Sequence, residues 1–176
     1  MILFLDSRIF NEIPPLRAMW APVGQQAQVP IVAARATRVL TGVLNIKTST
    51  WLSAVSDQFK QADFQWVLRL IRARWRGWHI VLFLDRHPAH RAKRSRQLAR
   101  HLGIQLRWLP TACPELNPVD HLWRHVTQDI LANEPTPHLD VAIHRAEQYI
   151  ASLPPRQRLR KAGVLTHAFW LARFVH

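Results

Sequence analysis

Two short, unbroken apolar runs, residues 2–5 and 80–84, each end directly in an aspartate, Asp6 and Asp85. Runs of this length without polar alternation read as strands buried on both faces, which requires a packed layer on each side of their sheet. The rest of the chain supplies such layers. Phe64, Val67, Leu68, Ile71 and Trp75 follow the spacing of a helix with one apolar face, and Gln65, Arg69, Arg72 and Arg76 form its solvated ridge. A second helix is expected from about His90 to Leu102, with Ala92, Ser95, Leu98, Ala99 and Leu102 inward and Gly103 as its stop.

Further strands lie between and after these. Residues 38–46 put Leu40, Leu44 and Ile46 on one face with Gly42 between, residues 47–50 read as a turn, and 51–56 as the returning partner. Ile104, Leu106 and Trp108 alternate with Gln105 and Arg107 in a half-buried strand that Pro110 ends. Asn117-Pro118 is a helix N-cap followed by proline at the first helical position. Glu134-Pro135-Thr136-Pro137 breaks the chain, Asp140 is placed to cap a helix through about Ser152, and Pro154-Pro155 sets off a last basic and apolar stretch. This order predicts an α/β domain with a mixed five-stranded sheet flanked by helices. Its first three strands form an antiparallel meander and the later two are joined by crossovers. Residues 1–133 make up that domain, and 134–176 a helical extension packed on it.

Of the 176 residues, 24 are Lys or Arg and 11 are Asp or Glu, a net charge of +13 with histidine neutral. Such a surplus points to a polyanion, nucleic acid before an anionic membrane surface, against the plainer reading of a basic protein with no special partner. Arginine makes up 20 of the 24 cations, which favours forked phosphate contacts. No apolar run is long enough to span a membrane, and the single Cys113 excludes an internal disulfide, so a cytoplasmic protein is expected. The eight tryptophans read as core before base-stacking platforms.

The chemistry rests on the scarce acids. If the two Asp-terminated strands are neighbours, Asp6 and Asp85 meet at one edge of the sheet, where a cation between them would relieve their repulsion. Asp120, at the start of the Asn117-capped helix, offers a third carboxylate, and such oxygen ligands suit Mg²⁺ or Mn²⁺. Each also has a structural reading: Asp6 and Asp85 as turn formers, Asp120 as a helix-start acid. A zinc site of His87, His90 and Asp85 is a lesser alternative. His121 and His125 have metal spacing, but Leu122 breaks the zinc-protease pattern.

The segment Leu82-Phe83-Leu84-Asp85-Arg86-His87-Pro88-Ala89-His90 and the block Leu109-Pro110-Thr111-Ala112-Cys113-Pro114-Glu115-Leu116-Asn117-Pro118-Val119-Asp120-His121-Leu122-Trp123 resemble the catalytic domain of DDE transposases, in the mariner-related bacterial insertion-sequence group. The 34 residues between Asp85 and Asp120 match that family's spacing, and Leu5-Asp6 with the later Trp20-Ala21-Pro22-Val23-Gly24 resembles its first-acid segment. The resemblance runs from residue 1 to about 135.

It implies a ribonuclease-H-like fold and DNA cleavage followed by strand transfer. Asp6, Asp85 and Asp120 would hold two Mg²⁺ ions, with Mn²⁺ as a substitute, roughly 3.5–4 Å apart. The implied partners are DNA at the element ends and the target, and a second copy in the synaptic complex. Ser7 stands where the family usually has an acid and Arg86 where it usually has Asn, while Glu115 reads as supporting. The family's N-terminal helix-turn-helix region has no counterpart here, so a separate subunit would read the ends, or the chain is a truncated, inactive DNA-binding remnant. A structure-selective nuclease on the same fold is a third reading. Behind Asp85, the basic run His90, Arg91, Lys93, Arg94, Arg96 and Arg100 is expected to contact DNA phosphates.

Overall fold

A computed structural model describes residues 1–26, 28–29, 36–134 and 138–174. Five strands form one sheet: β1 (Ile2–Asn11), β2 (Thr37–Asn45), β3 (Trp51–Ser56), β4 (Ile80–Leu84) and β5 (Ile104–Trp108). Their spatial order is β3-β2-β1-β4-β5. The β1–β2 and β2–β3 pairs are antiparallel, and β1–β4 and β4–β5 are parallel. The expected meander and crossovers are therefore both present. Between β2 and β3 the Asn45 side chain accepts from the amides of Lys47 and Thr48, so one buried polar residue closes the turn.

Alternation along β1 divides the core in two. Leu3 and Leu5 face α1 (Gln61–Arg74), packing with Phe64, Val67, Leu68 and Ile71, while Phe4 faces Leu40, Leu44, Val119 and Trp123 on the other side. Each such side chain, fully withdrawn from water, contributes roughly 1.5–3 kcal/mol. The second face is covered by α4 (Pro118–Val126) and α5 (Leu139–Ser152), whose Ala142, Ile143, Ala146 and Ile150 belong to the same cluster as Phe4. The segment after 138 thus packs on the 1–133 sheet beside α4, and shares one core cluster with it. Asp140 is not its cap: His138 holds that position, and Asp140 lies in the first turn, 3.8 Å from Arg38. Pro135, Thr136 and Pro137 lie outside the described residues.

Three further expectations are corrected. The helix from about His90 is two pieces, α2 (Pro88–Arg91) and α3 (Lys93–His101), because Ala92 takes extended backbone angles between them. Arg72 is not a solvated ridge residue: it donates to the carbonyls of Leu102, Gly103, Trp75 and Trp78, tying the ends of α1 and α3 together. Of the tryptophans, Trp75 and Trp123 are buried, but Trp20, Trp66, Trp78 and Trp170 are exposed. Finally, α6 (Pro155–Lys161) carries the buried Arg158, which donates to the carbonyls of Ile150, Ala151 and Leu153 at the end of α5 and to that of Ser49 in the β2–β3 turn.

Candidate active site

The β1–β4 ladder runs Ile2–Val81, Leu3–Leu82, Phe4–Phe83. Carried forward two residues, the same register sets Asp6 level with Asp85. Asp85 lies just past the end of β4, as expected. Asp6 does not lie at a strand end: β1 continues to Asn11 because β2 pairs with it throughout, with Asp6 opposite Gly42. That glycine is required by packing. A Cβ there would come within 2.1 Å of the Trp51 indole and 2.9 Å of Trp123. The two indoles meet edge-to-face across the gap, 5.6 Å between centroids.

Asp120 reaches the same edge through Asn117. The Asn117 side-chain oxygen accepts from the Val119 amide, capping α4, and its Nδ2 donates to the Leu5 carbonyl at 3.0 Å. One buried side chain therefore starts the helix and fastens it to β1 beside Asp6. All three aspartates line one cavity of about 330 Å³, together with Arg86, His87, Asn117 and the loop 109–114 that includes Cys113.

The carboxylates are electrostatically distinct. Burial, then the charges of Asp120 and Asp85, push the Asp6 carboxyl up to about 7, and the Ser7 amide and Trp123 indole offset only part of this. Burial also acts upward on Asp85, but the hydrogen bond and charge of His90, with the His87 amide, hold it below the usual carboxylate range. Both contacts fall on Asp85 Oδ1: His90 Nδ1 at 2.7 Å and the His87 amide at 3.0 Å. Asp120 lies 2.8 Å from Arg124, one turn along α4.

Of the predicted DNA contacts, Arg91, Lys93, Arg94, Arg96 and Arg100 are exposed. His90 is separated from them, 3% exposed and packed against Phe59 and Phe64 with its ring turned to Asp85, because the break at Ala92 places it on the shorter helix. One residue escaped the sequence reading. Arg8, two positions from Asp6 on the same face of β1, has its guanidinium pulled down by burial and back up by Asp120 and Asp6. Period-two spacing from Asp6 was the signal for it. His90 was read as a phosphate contact and, in the zinc alternative, as a neighbour of Asp85; its burial and its hydrogen bond to Asp85 Oδ1 follow from the helix break.

The donor set suits hard divalent cations, and the repulsion that raises Asp6 is what a cation among the three carboxylates would remove. The fit is one of chemistry and placement. Among the described residues no three His, Cys, Asp or Glu side chains are already gathered at metal-binding distance, the zinc alternative of His87, His90 and Asp85 included. No described helix is long and apolar enough to cross a membrane.

The family model of the DDE superfamily endonucleases matches residues 1–141. The transposable element Tcb2 transposase of Caenorhabditis briggsae is 33% identical over 54 residues, covering 31% of this chain and 20% of that protein. Among solved structures, the Mos1 transposase paired-end complex with the left transposon end aligns at TM-score 0.72 and 16% identity, over 93% of this chain and 52% of that one. The Mos1 catalytic domain solved with Raltegravir and Mg aligns at TM-score 0.62 and 13% identity, over 93% and 77%. The Mos1 paired-end complex with Mn gives TM-score 0.70 at 16% identity, over 92% and 51%. The chain thus spans a fifth of the curated relative and about half of the Mos1 chains in the paired-end complexes. The structural likeness establishes the expected ribonuclease-H-like sheet.

Proposed function

The chain belongs to the DDE superfamily endonucleases, and from that premise we propose that it is a transposase catalytic domain that cuts DNA at element ends and joins the freed strand to a target. The observation that carries the reading is the gathering of Asp6, Asp85 and Asp120, from three distant parts of the chain, on one cavity. Asp6, Asp85 and Asp120 would hold two Mg²⁺ ions, or Mn²⁺ in their place. When bound, such ions lower the pKa of an attacking water or DNA 3′-hydroxyl and stabilise the leaving oxygen.

The protein's own groups do the rest. His90 and the His87 amide fix Asp85 through Oδ1, which leaves Oδ2 free of both contacts. Asn117 keeps Asp120 against β1. Arg86, on the cavity wall where the family usually carries Asn, grips a phosphate of the strand to be cut. Arg91, Lys93, Arg94, Arg96 and Arg100 hold the adjoining backbone, and their phosphate contacts make affinity fall steeply with salt. The partners are DNA ends and target, and a second copy in the synaptic complex. The setting is the cytoplasm, at the bacterial nucleoid. Mos1, a structural neighbour, has been solved with a transposon end, with Mg and with Mn, which supports DNA and divalent cations as the ligands to test.

The test is nicking of duplex DNA bearing candidate terminal repeats in Mg²⁺ or Mn²⁺, by the wild type and Asp85→Ala. Cleavage by the wild type alone is expected. Equal silence from both, with DNA binding intact, would leave a non-catalytic DNA-binding remnant instead.

A further inference from the structure

Beside the catalytic cavity, and sharing Arg86 with it, lies a second recess of about 560 Å³ lined by Arg86, Pro88, Arg91, Ala92, Arg96 and Trp108. We propose that it receives an unpaired nucleotide of the DNA strand next to the cleavage point, its phosphate held by the three arginines and its base against Trp108. This rests on the reading that DNA occupies the neighbouring cavity.

The fold builds the recess from separate elements. The extended backbone at Ala92 lets Arg91 and Arg96 come from two different helices around one opening. Trp108 ends β5 and pairs with Leu84, so it lies one rung from Asp85. Among the described residues no acid lines the recess. The guanidinium groups of Arg86, Arg91 and Arg96 make no hydrogen bond or ion pair among the described residues, unlike those of Arg72, Arg124 and Arg158, which are each engaged within the protein. Three unpaired forks around one concavity call for an anion with several acceptor oxygens.

The wall is not purely cationic, and that points past a bare phosphate. Trp108 is half-buried, and with Pro88 and Ala92 it gives the recess an apolar part that an inorganic anion would not use. The volume lies in the range of small-molecule sites and exceeds what a phosphate fills. Indoles bind bases by stacking, with little regard to sequence. In a duplex both faces of each base are covered by its neighbours, so an indole in a recess meets only a base that has left the stack.

The experiment uses the full chain in EDTA, so that no strand is cut, and compares by fluorescence anisotropy a blunt duplex with one carrying a short single-stranded extension. The wild type should bind the extended duplex about tenfold more tightly, from one stacked base. Trp108→Ala should lose that preference and keep its affinity for the blunt duplex, and Trp108→Phe should retain most of it. The exposed pair Arg91→Gln and Arg96→Gln, which leaves the indole intact, should lose the preference as well. Equal affinity of the wild type for both probes overturns the proposal. So does a preference that survives either Trp108→Ala or the arginine pair. A chain that nicks duplex DNA yet shows no preference sinks this inference alone, whereas failure to bind either probe sinks the functional reading with it.

Discussion

Replacing Asp6 by asparagine should make the metal-free protein more stable, by an amount that depends on pH. The ordinary carboxyl value is 3.8, and burial with the charges of Asp120 and Asp85 raises that of Asp6 to about 7. An acid with a raised value in the fold keeps its proton where the unfolded chain has lost it, so stability falls as pH rises between the two values. Above the upper one the whole penalty is present. At 1.36 kcal/mol per pH unit the interval corresponds to about 4 kcal/mol, and because the carboxyl opens on the cavity, solvent screening brings the expected range to about 2–4 kcal/mol. Urea unfolding in EDTA should therefore find Asp6→Asn and the wild type close at about pH 4, and the variant ahead by that margin at about pH 8. Adding Mg²⁺ at the higher pH should stabilise the wild type and narrow the gap. A difference of the same size at both pH values, or a variant less stable at about pH 8, would refute the claim that crowded charge at this position opposes folding.

Gly42→Ala should destabilise the fold by the upper part of the roughly 1–3 kcal/mol typical of overpacking, because the new methyl would lie 2.1 Å from one indole and 2.9 Å from a second. A urea midpoint shifted by less than about 0.5 kcal/mol equivalent would show that the indoles yield freely. His90→Asn should weaken Mn²⁺ binding about tenfold or more, as loss of an outer partner does at other metal sites, read by electron paramagnetic resonance titration of free Mn²⁺. Unchanged affinity would mean that His90 is only a packing residue. Asn117→Ala should cost about 1–2 kcal/mol through the lost cap. It should also depress Mn²⁺-dependent nicking beyond what its thermal midpoint explains, since Leu5 loses its tie to α4.

Three strands were legible because each is short, apolar or alternating, and bounded by turn residues or proline, whereas β1 was read as ending at Asp6 because its extension to Asn11 depends on pairing with β2. The 51–56, 80–84 and 104–108 strands match the sequence reading residue for residue. The helix that starts at Asn117-Pro118 was equally clear, since its cap and proline are adjacent in sequence. Where reading failed, the deciding contact lay far along the chain. Nothing local to Ala92 marks a helix break. It follows from His90 turning to Asp85 and from Ser95 donating to the Ala89 carbonyl. Arg72 looked like one more surface cation because its four acceptors are carbonyls, which carry no signature in sequence. The Pro-rich segment at 134–137 reads as a linker, and the sequence does not show how deeply the helix after it shares the core around Phe4. The three aspartates could be listed, but only the β1–β4 register and the Asn117 tie bring them onto one cavity.

The four carbonyls gathered by Arg158 set an order on assembly. Three belong to the end of α5 and one to Ser49, 109 residues earlier, so the guanidinium has its full set of acceptors only after the hairpin turn, α5 and α6 have met. Closing so long a loop costs entropy before it returns any contact, which places this lock late on the folding path. Interactions formed late act on the escape rate from the native state and hardly on the rate of reaching it. A buried cation with no carboxylate partner among the described residues thus serves the chain as a latch, setting how long the two layers stay shut around the sheet that carries the acids.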